Sequence, residues 1–227
     1  DVILFSGDAY IDHPSFGAAV IGRVLEDAGY RVAIVPQPDW RGDDRDFTKL
    51  GRPRLFFAVT AGSMDSMVNH YTAAKRLRSD DAYTPEGRSG ARPDYCTQTY
   101  CNILKRLYPD VPIVIGGIEA SMRRLTHYDY WSDSLKRSIL LDSQADIISY
   151  GMGEKSIVEI ADALNSQIDV KDISFIPGTV YKTKDISLLD DYVLLPSFEE
   201  IKNDKYKYAK SFKAQHDNID AITAKML

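Results

Sequence analysis

Five short apolar runs, separated by segments of helical periodicity, constrain this chain more than any other feature. They are "DVILF" (1–5), "RVAIV" (31–35), "RLFFAVT" (54–60), "VPIVIGG" (111–117) and "ADIISY" (145–150). They are continuously apolar rather than alternating, as in strands covered on both faces. Strands alternating with helices call for right-handed crossovers and a parallel sheet. The expected fold class is α/β: an open, doubly wound, parallel five-stranded sheet. The order 2-1-3-4-5 is the flavodoxin-like solution for such a chain.

The connecting segments carry their own signals. Residues 15–28 place Phe16, Val20, Ile21, Val24, Leu25 and Ala28 on one helix face. Asp12 or His13 can cap its start, Pro14 suits the first turn and Gly29 ends it. About fifty residues separate the third run from the fourth, more than one crossover helix needs. A helix near 63–76, the charged loop "RLRSDDAYTPEGRSGARPD" (76–94) and a helix near 94–107 account for this insertion, at about 61–110. "DSLKRSILLD" (133–142) reads as part of a polar helix, and "GMGEKSIVEIADAL" (151–164) as a turn and a helix. After residue 166 the rhythm changes. "FIPGTVYKTKD" (175–185) reads as an antiparallel hairpin, and 197–225 as one long polar helix. Met64, Met67 and Met122 read as core fillers.

A length of 227 residues allows one large domain or a domain with an appendage. A net charge of -5 argues against nucleic acid and anionic membranes as partners. No apolar run approaches the roughly 18 residues of a membrane span. The chain opens at Asp1, inside a strand-like run, as a trimmed piece would. Its two cysteines make no disulfide framework, so a cytoplasmic location is the expectation. Cys96 and Cys101 would sit roughly 140° apart on a helix, unsuited to sharing a ligand. Histidines 13, 70, 127 and 216 show no metal-ligand spacing. "GMGEKS" fails both the dinucleotide and the P-loop patterns, and no G-x-S-x-G elbow occurs.

In open parallel sheets ligands bind beyond the carboxyl ends of the strands. Here those ends read "SGDAYIDH", "TAGSMDS", "GGIEASMRR" and "GMGEKS". Glycine lets backbone approach a ligand closely. The candidate lining residues are Asp8, Asp12, His13, Ser63, Gly116, Gly117, Glu119, Gly151 and Glu154. No catalytic or metal-ligating residue is assigned. Arg76, Arg78, Arg88 and Arg92 of the long loop could instead pair with acids or phosphates on a docking partner, or lie in solvent. An independent flavin carrier fits the acidic "GDAYIDHP" poorly.

"SGDAYIDHPSFG", "RSDDAYTPEGRSGARPD", "GGIEASMRR" and "DYWSDSLKRSILLDSQADIISYGMGE" resemble the YgiQ family of radical SAM proteins, which implies an iron–sulfur oxidoreductase. The helix-and-strand opening also resembles cobalamin-binding-type domains. The resemblance implies a Rossmann-like, cobalamin-binding-type domain over 1–166, then a hairpin and helix over 167–227 leading towards a missing radical SAM domain. That domain of the same chain is the implied partner, the substrate being unknown. The full-length protein would hold a [4Fe–4S] cluster and S-adenosylmethionine. The C-x3-C-x2-C motif for such a cluster is absent here, so neither cofactor is assigned to this segment. Cobalamin remains open. Base-off domains use D-x-H-x-x-G, whereas here Asp12 and His13 are adjacent and His13 lies four residues before Gly17. Helix capping competes with cobalt ligation for both residues. The expected function is an accessory domain lining a substrate or cofactor cleft beside the catalytic barrel. The alternative is a docking module with no ligand of its own.

Overall fold

The computed structural model describes residues 1–10, 16–187, 189–220 and 223–227. Two compact units emerge: Asp1–Leu125 with Ser138–Lys182, and Thr126–Arg137 with Thr183–Leu227.

The first unit is built on six strands: β1 (Val2–Ser6), β2 (Val32–Pro36), β3 (Phe56–Thr60), β4 (Ile113–Gly116), β7 (Ile147–Ser149) and β8 (Thr179–Tyr181). Their order is β2-β1-β3-β4-β7-β8. The first five are parallel and reproduce the expected order; β8 adds an antiparallel edge. That strand comes from "FIPGTVYKTKD", but it pairs with β7 rather than within its own segment, Val180 lying opposite Ile148.

The continuous apolar runs are explained by burial on both faces. One core packs Phe5, Phe57, Val59 and Ile115 against Tyr100 and Leu104 of α4 (Cys96–Leu107). The other packs Leu4, Phe56, Ala58 and Val114 against α1 (Gly17–Asp27) and α7 (Glu154–Asn165), through Leu25, Ile157 and Ile160. Leu104 and Ile160 are fully buried. α1 begins at Gly17 with Phe16 in the cap position, which moves its start beyond the expected caps. Asp12, His13 and Pro14 lie outside the described residues. Gly29 ends α1 as expected, at a φ of +89°.

The insertion differs from its periodicity. α3 runs only Ser66–His70, and Tyr71 leaves it in extended backbone. The chain folds back there, bridging Tyr71 to Leu77 around Lys75, whose φ is +57°. Asp94 holds that exit: its carboxylate accepts from Tyr71 Oη at 2.8 Å and bonds His70 Nδ1 at 2.6 Å. α2 (Arg45–Thr48), α5 (Gly117–Met122) and α6 (Ile139–Asp142) are single turns or little more. Met67 is buried, but Met122 is 61% exposed and fills no core.

In the second unit, the first half of the stretch expected to be helical pairs instead in a hairpin, β5 (His127–Asp129) with β6 (Ser134–Lys136), and only its second half, in the first unit, is helical, as α6. Asp129 accepts from the Ser132 amide and hydroxyl and closes its turn. The long helix is two: α8 (Phe198–Asn203) and α9 (Lys205–Asp217). Asp204 breaks them apart because its carboxylate caps α9, accepting from the amides of Tyr206 and Lys207. Among the described residues, no helix is long and apolar enough to cross a membrane.

Tyr30, just after α1, donates its phenol to Asp162 of α7 at 2.5 Å. Burial, then that bond, pushes its pKa up to about 12. The unfolded value is about 10. The contribution of this contact is thus whole below pH 10 and fades as pH rises through 12. Urea unfolding of the wild type and Tyr30→Phe should therefore show a stability gap at pH 8 that narrows towards pH 12; a gap independent of pH would refute the linkage.

Candidate functional site

A cavity of about 350 Å³ opens at the carboxyl ends of β1, β3, β4 and β7. Its floor is apolar because inward strand residues Leu4, Ala58 and Val114 meet Phe16, Ile21 and Ile157 from α1 and α7. Its rim is backbone: Gly62, Gly116, Gly117, Gly151 and Gly153 all line it. The order of the strands reverses between β1 and β3, and the two ends are joined there by the Gly7 amide donating to Thr60 O at 3.0 Å. Phe16 and Gly153, the cap residues of α1 and α7, supply no side-chain cap. The amides in those first turns therefore have no partner from that source.

Six of the nine sequence-selected residues lie on this cavity: Asp8, Ser63, Gly116, Gly117, Gly151 and Glu154. Asp12 and His13 are outside the described residues. Glu119 is elsewhere, 1% exposed on the buried side of α5. Its carboxylate accepts from the Ser66 amide at 2.8 Å, the Ser66 hydroxyl at 2.6 Å and the Thr97 amide at 3.0 Å. An anion at the amino ends of α3 and α4 is well placed by their dipoles, so Glu119 is a clamp on the insertion, not a wall of the cleft.

Asp8 does not present an acidic wall. It is fully buried, accepts from the Ser63 amide at 2.6 Å and pairs with Arg92 Nη1 at 2.7 Å. Arg92 also grips both oxygens of Asp81, at 3.1–3.2 Å, and donates to Ala61 O at 3.0 Å. Burial works against the guanidinium charge, but Asp8 and Asp81 outweigh it and hold Arg92 above its ordinary pKa. Of the four loop arginines, Arg92 thus turns inward as a structural ion. Gly62 makes room for this arrangement: its φ is +108°, and a Cβ there would stand 2.2 Å from the Asp8 carboxylate.

The cysteines fit no cluster. Both are fully buried. Burial and the charge of Glu119 push the Cys96 thiol well up, and burial also raises Cys101. Metal ligation needs the thiolate. Among the described residues no group of three His, Cys, Asp or Glu side chains is placed to hold a metal ion.

The family described as Radical SAM N-terminal matches residues 1–227. The chain belongs to that family. The chain is also similar to relatives named UPF0313 proteins. That of Clostridium perfringens is 54% identical over 228 residues, covering all of this chain and 34% of the relative. That of Bacteroides thetaiotaomicron is 58% identical over 226 residues, covering 94% of this chain and 36% of the relative. The radical SAM N-terminal chain thus spans about a third of the length of the curated relatives it matches.

Two outcomes follow. Arg92→Met strands Asp8 and Asp81 as buried, uncompensated charges and should cost about 3–5 kcal/mol in chemical denaturation; a loss below about 1 kcal/mol would show that the triad is not buried as described. A thiol reagent should find both cysteines unreactive in the native chain and reactive once guanidinium unfolds it; a fast native thiol would contradict their burial.

Proposed function

We propose that this chain is the accessory domain of a radical SAM iron–sulfur enzyme, of the YgiQ type, and that its cavity binds part of a substrate or cofactor. The observation that carries the reading is the cavity itself. It is open, floored by apolar side chains and rimmed by glycine backbone at the strand ends. Small-molecule sites combine an apolar body with a few fixed polar groups in this way. Asp8 and Glu154 are the ionisable side chains among the described lining residues, and Asp8 is already paired. The cavity therefore suits a largely apolar ligand whose polar end meets backbone amides and the hydroxyl of Thr60.

The cluster and S-adenosylmethionine belong, on this reading, to the rest of the full-length protein. The buried, protonated thiols of this chain do not fit cluster ligation. Cobalamin is the narrower candidate for the cavity. None of the described lining residues is a histidine, so the described wall could hold a corrinoid by apolar and backbone contacts but offers no imidazole to cobalt. Purified full-length protein carrying a corrinoid absorption spectrum would support it; protein that neither carries nor takes up cobalamin removes it.

The second reading, a docking module with no ligand, is separated by one experiment. Reconstituted full-length protein, given dithionite and S-adenosylmethionine, should release 5′-deoxyadenosine. Val20→Trp places an indole at the cavity mouth, where Val20 is 45% exposed. It should lower the yield by about tenfold with iron content and unfolding midpoint unchanged. No 5′-deoxyadenosine from iron-replete wild type refutes the enzyme reading. Equal yields from both proteins favour docking.

A further inference from the structure

We propose that the second compact unit, Thr126–Arg137 with Thr183–Leu227, is a docking surface for the part of the full-length protein outside these 227 residues. The described residues of the unit contribute to neither apolar core cluster. Both apolar clusters of the chain are drawn entirely from the first unit. Among the described residues of the second unit, one apolar side chain is buried, Ile201 of α8. A hairpin as short as β5–β6 is not stable alone, and a unit this small needs apolar burial or a covalent brace. Beside the Tyr130–Trp131 ring contact and the buried Ile201, many of its described contacts are polar and at the surface. They include the Lys207–Glu200 and Lys213–Asp217 ion pairs, both at 2.6 Å, each of which contributes little.

What the unit offers instead is exposed apolar surface. Leu194 is 79% exposed, Tyr206 82%, Phe212 63% and Ile219 75%, with Tyr128 and Tyr130 on the hairpin about half exposed. α9 sets Tyr206 and Phe212 among Lys205, Lys207, Lys210 and Lys213. Aromatic side chains bring large apolar area to an interface at low entropic cost. Lysine stems add apolar area while their ammonium groups stay wet.

The occupant is set by chain length. The relatives match this chain along essentially its whole length, yet about two thirds of each relative lies outside the match. A unit outside both core clusters, joined to so much further polypeptide, is most economically completed by it. The proposal shares with the preceding reading only the premise of a longer chain, and its test is independent of catalysis.

The test uses full-length protein with a photoreactive benzoyl-phenylalanine at Tyr206 or, separately, at Phe212. Both positions are exposed enough to accept it. After irradiation of folded protein, peptide mapping should find intramolecular crosslinks to segments outside residues 1–227. Crosslinks that return only to residues 1–227, that join two copies, or that fail to form at both positions would overturn the proposal. The same labelled protein can be assayed for 5′-deoxyadenosine, so loss of the enzyme reading and loss of the docking surface are scored separately.

Discussion

A guanidinium taken fully out of water must be answered by fixed negative charge, and in this molecule that demand organises one end of the sheet. Arg92 comes from the insertion between β3 and β4, Asp8 from the turn after β1, and Asp81 from the loop of the insertion. The carbonyl of Ala61, just beyond β3, completes the set. One ion thus ties the two places where the chain leaves β1 and β3 to the insertion that follows. The cavity sits beside them, and the Gly62–Ser63 part of its rim is held by this interior ion network. Removing a buried partner from such a network is far more damaging than never having had it.

The same network changes the electrostatic character of the cleft. Read along the chain, "GDAYIDHP" is acidic. In space the Asp8 carboxylate faces Arg92 and the Ser63 amide, so the described lining is mainly apolar and backbone in character. Charge counted along a sequence is a poor guide to the potential in a cleft when the compensating ion arrives from a distant loop.

That distinction governs what was legible. The five parallel strands were readable because burial on both faces leaves uninterrupted apolar runs, and the lining glycines because strand ends in open sheets fall on one rim. The Arg92 triad was not readable, since no periodicity links Asp8 to Asp81 or Arg92. Glu119 was misread because its place at a strand end says nothing of whether its side chain turns towards the cleft or towards the amino ends of α3 and α4. The β5–β6 hairpin was hidden because Leu135 falls in helical spacing with Ile139, which does open α6; Asp133 at a φ of +50° and the Asp129 turn set the preceding residues apart as a hairpin. The break at Asp204 left a capping residue in plain view, but nothing in its polar surroundings marked it as a boundary.

The antiparallel placement of β8 has a directional consequence. Tyr181 lies opposite Ile147, at the amino end of β7, and Thr179 opposite Ser149 at the carboxyl end. The backbone therefore departs the sheet heading away from the cleft mouth. A strand length, about 10 Å for three residues, separates that departure from the cavity mouth. A sixth parallel strand would have delivered the chain directly to the mouth; this arrangement separates the exit of the polypeptide from the entrance of the cavity.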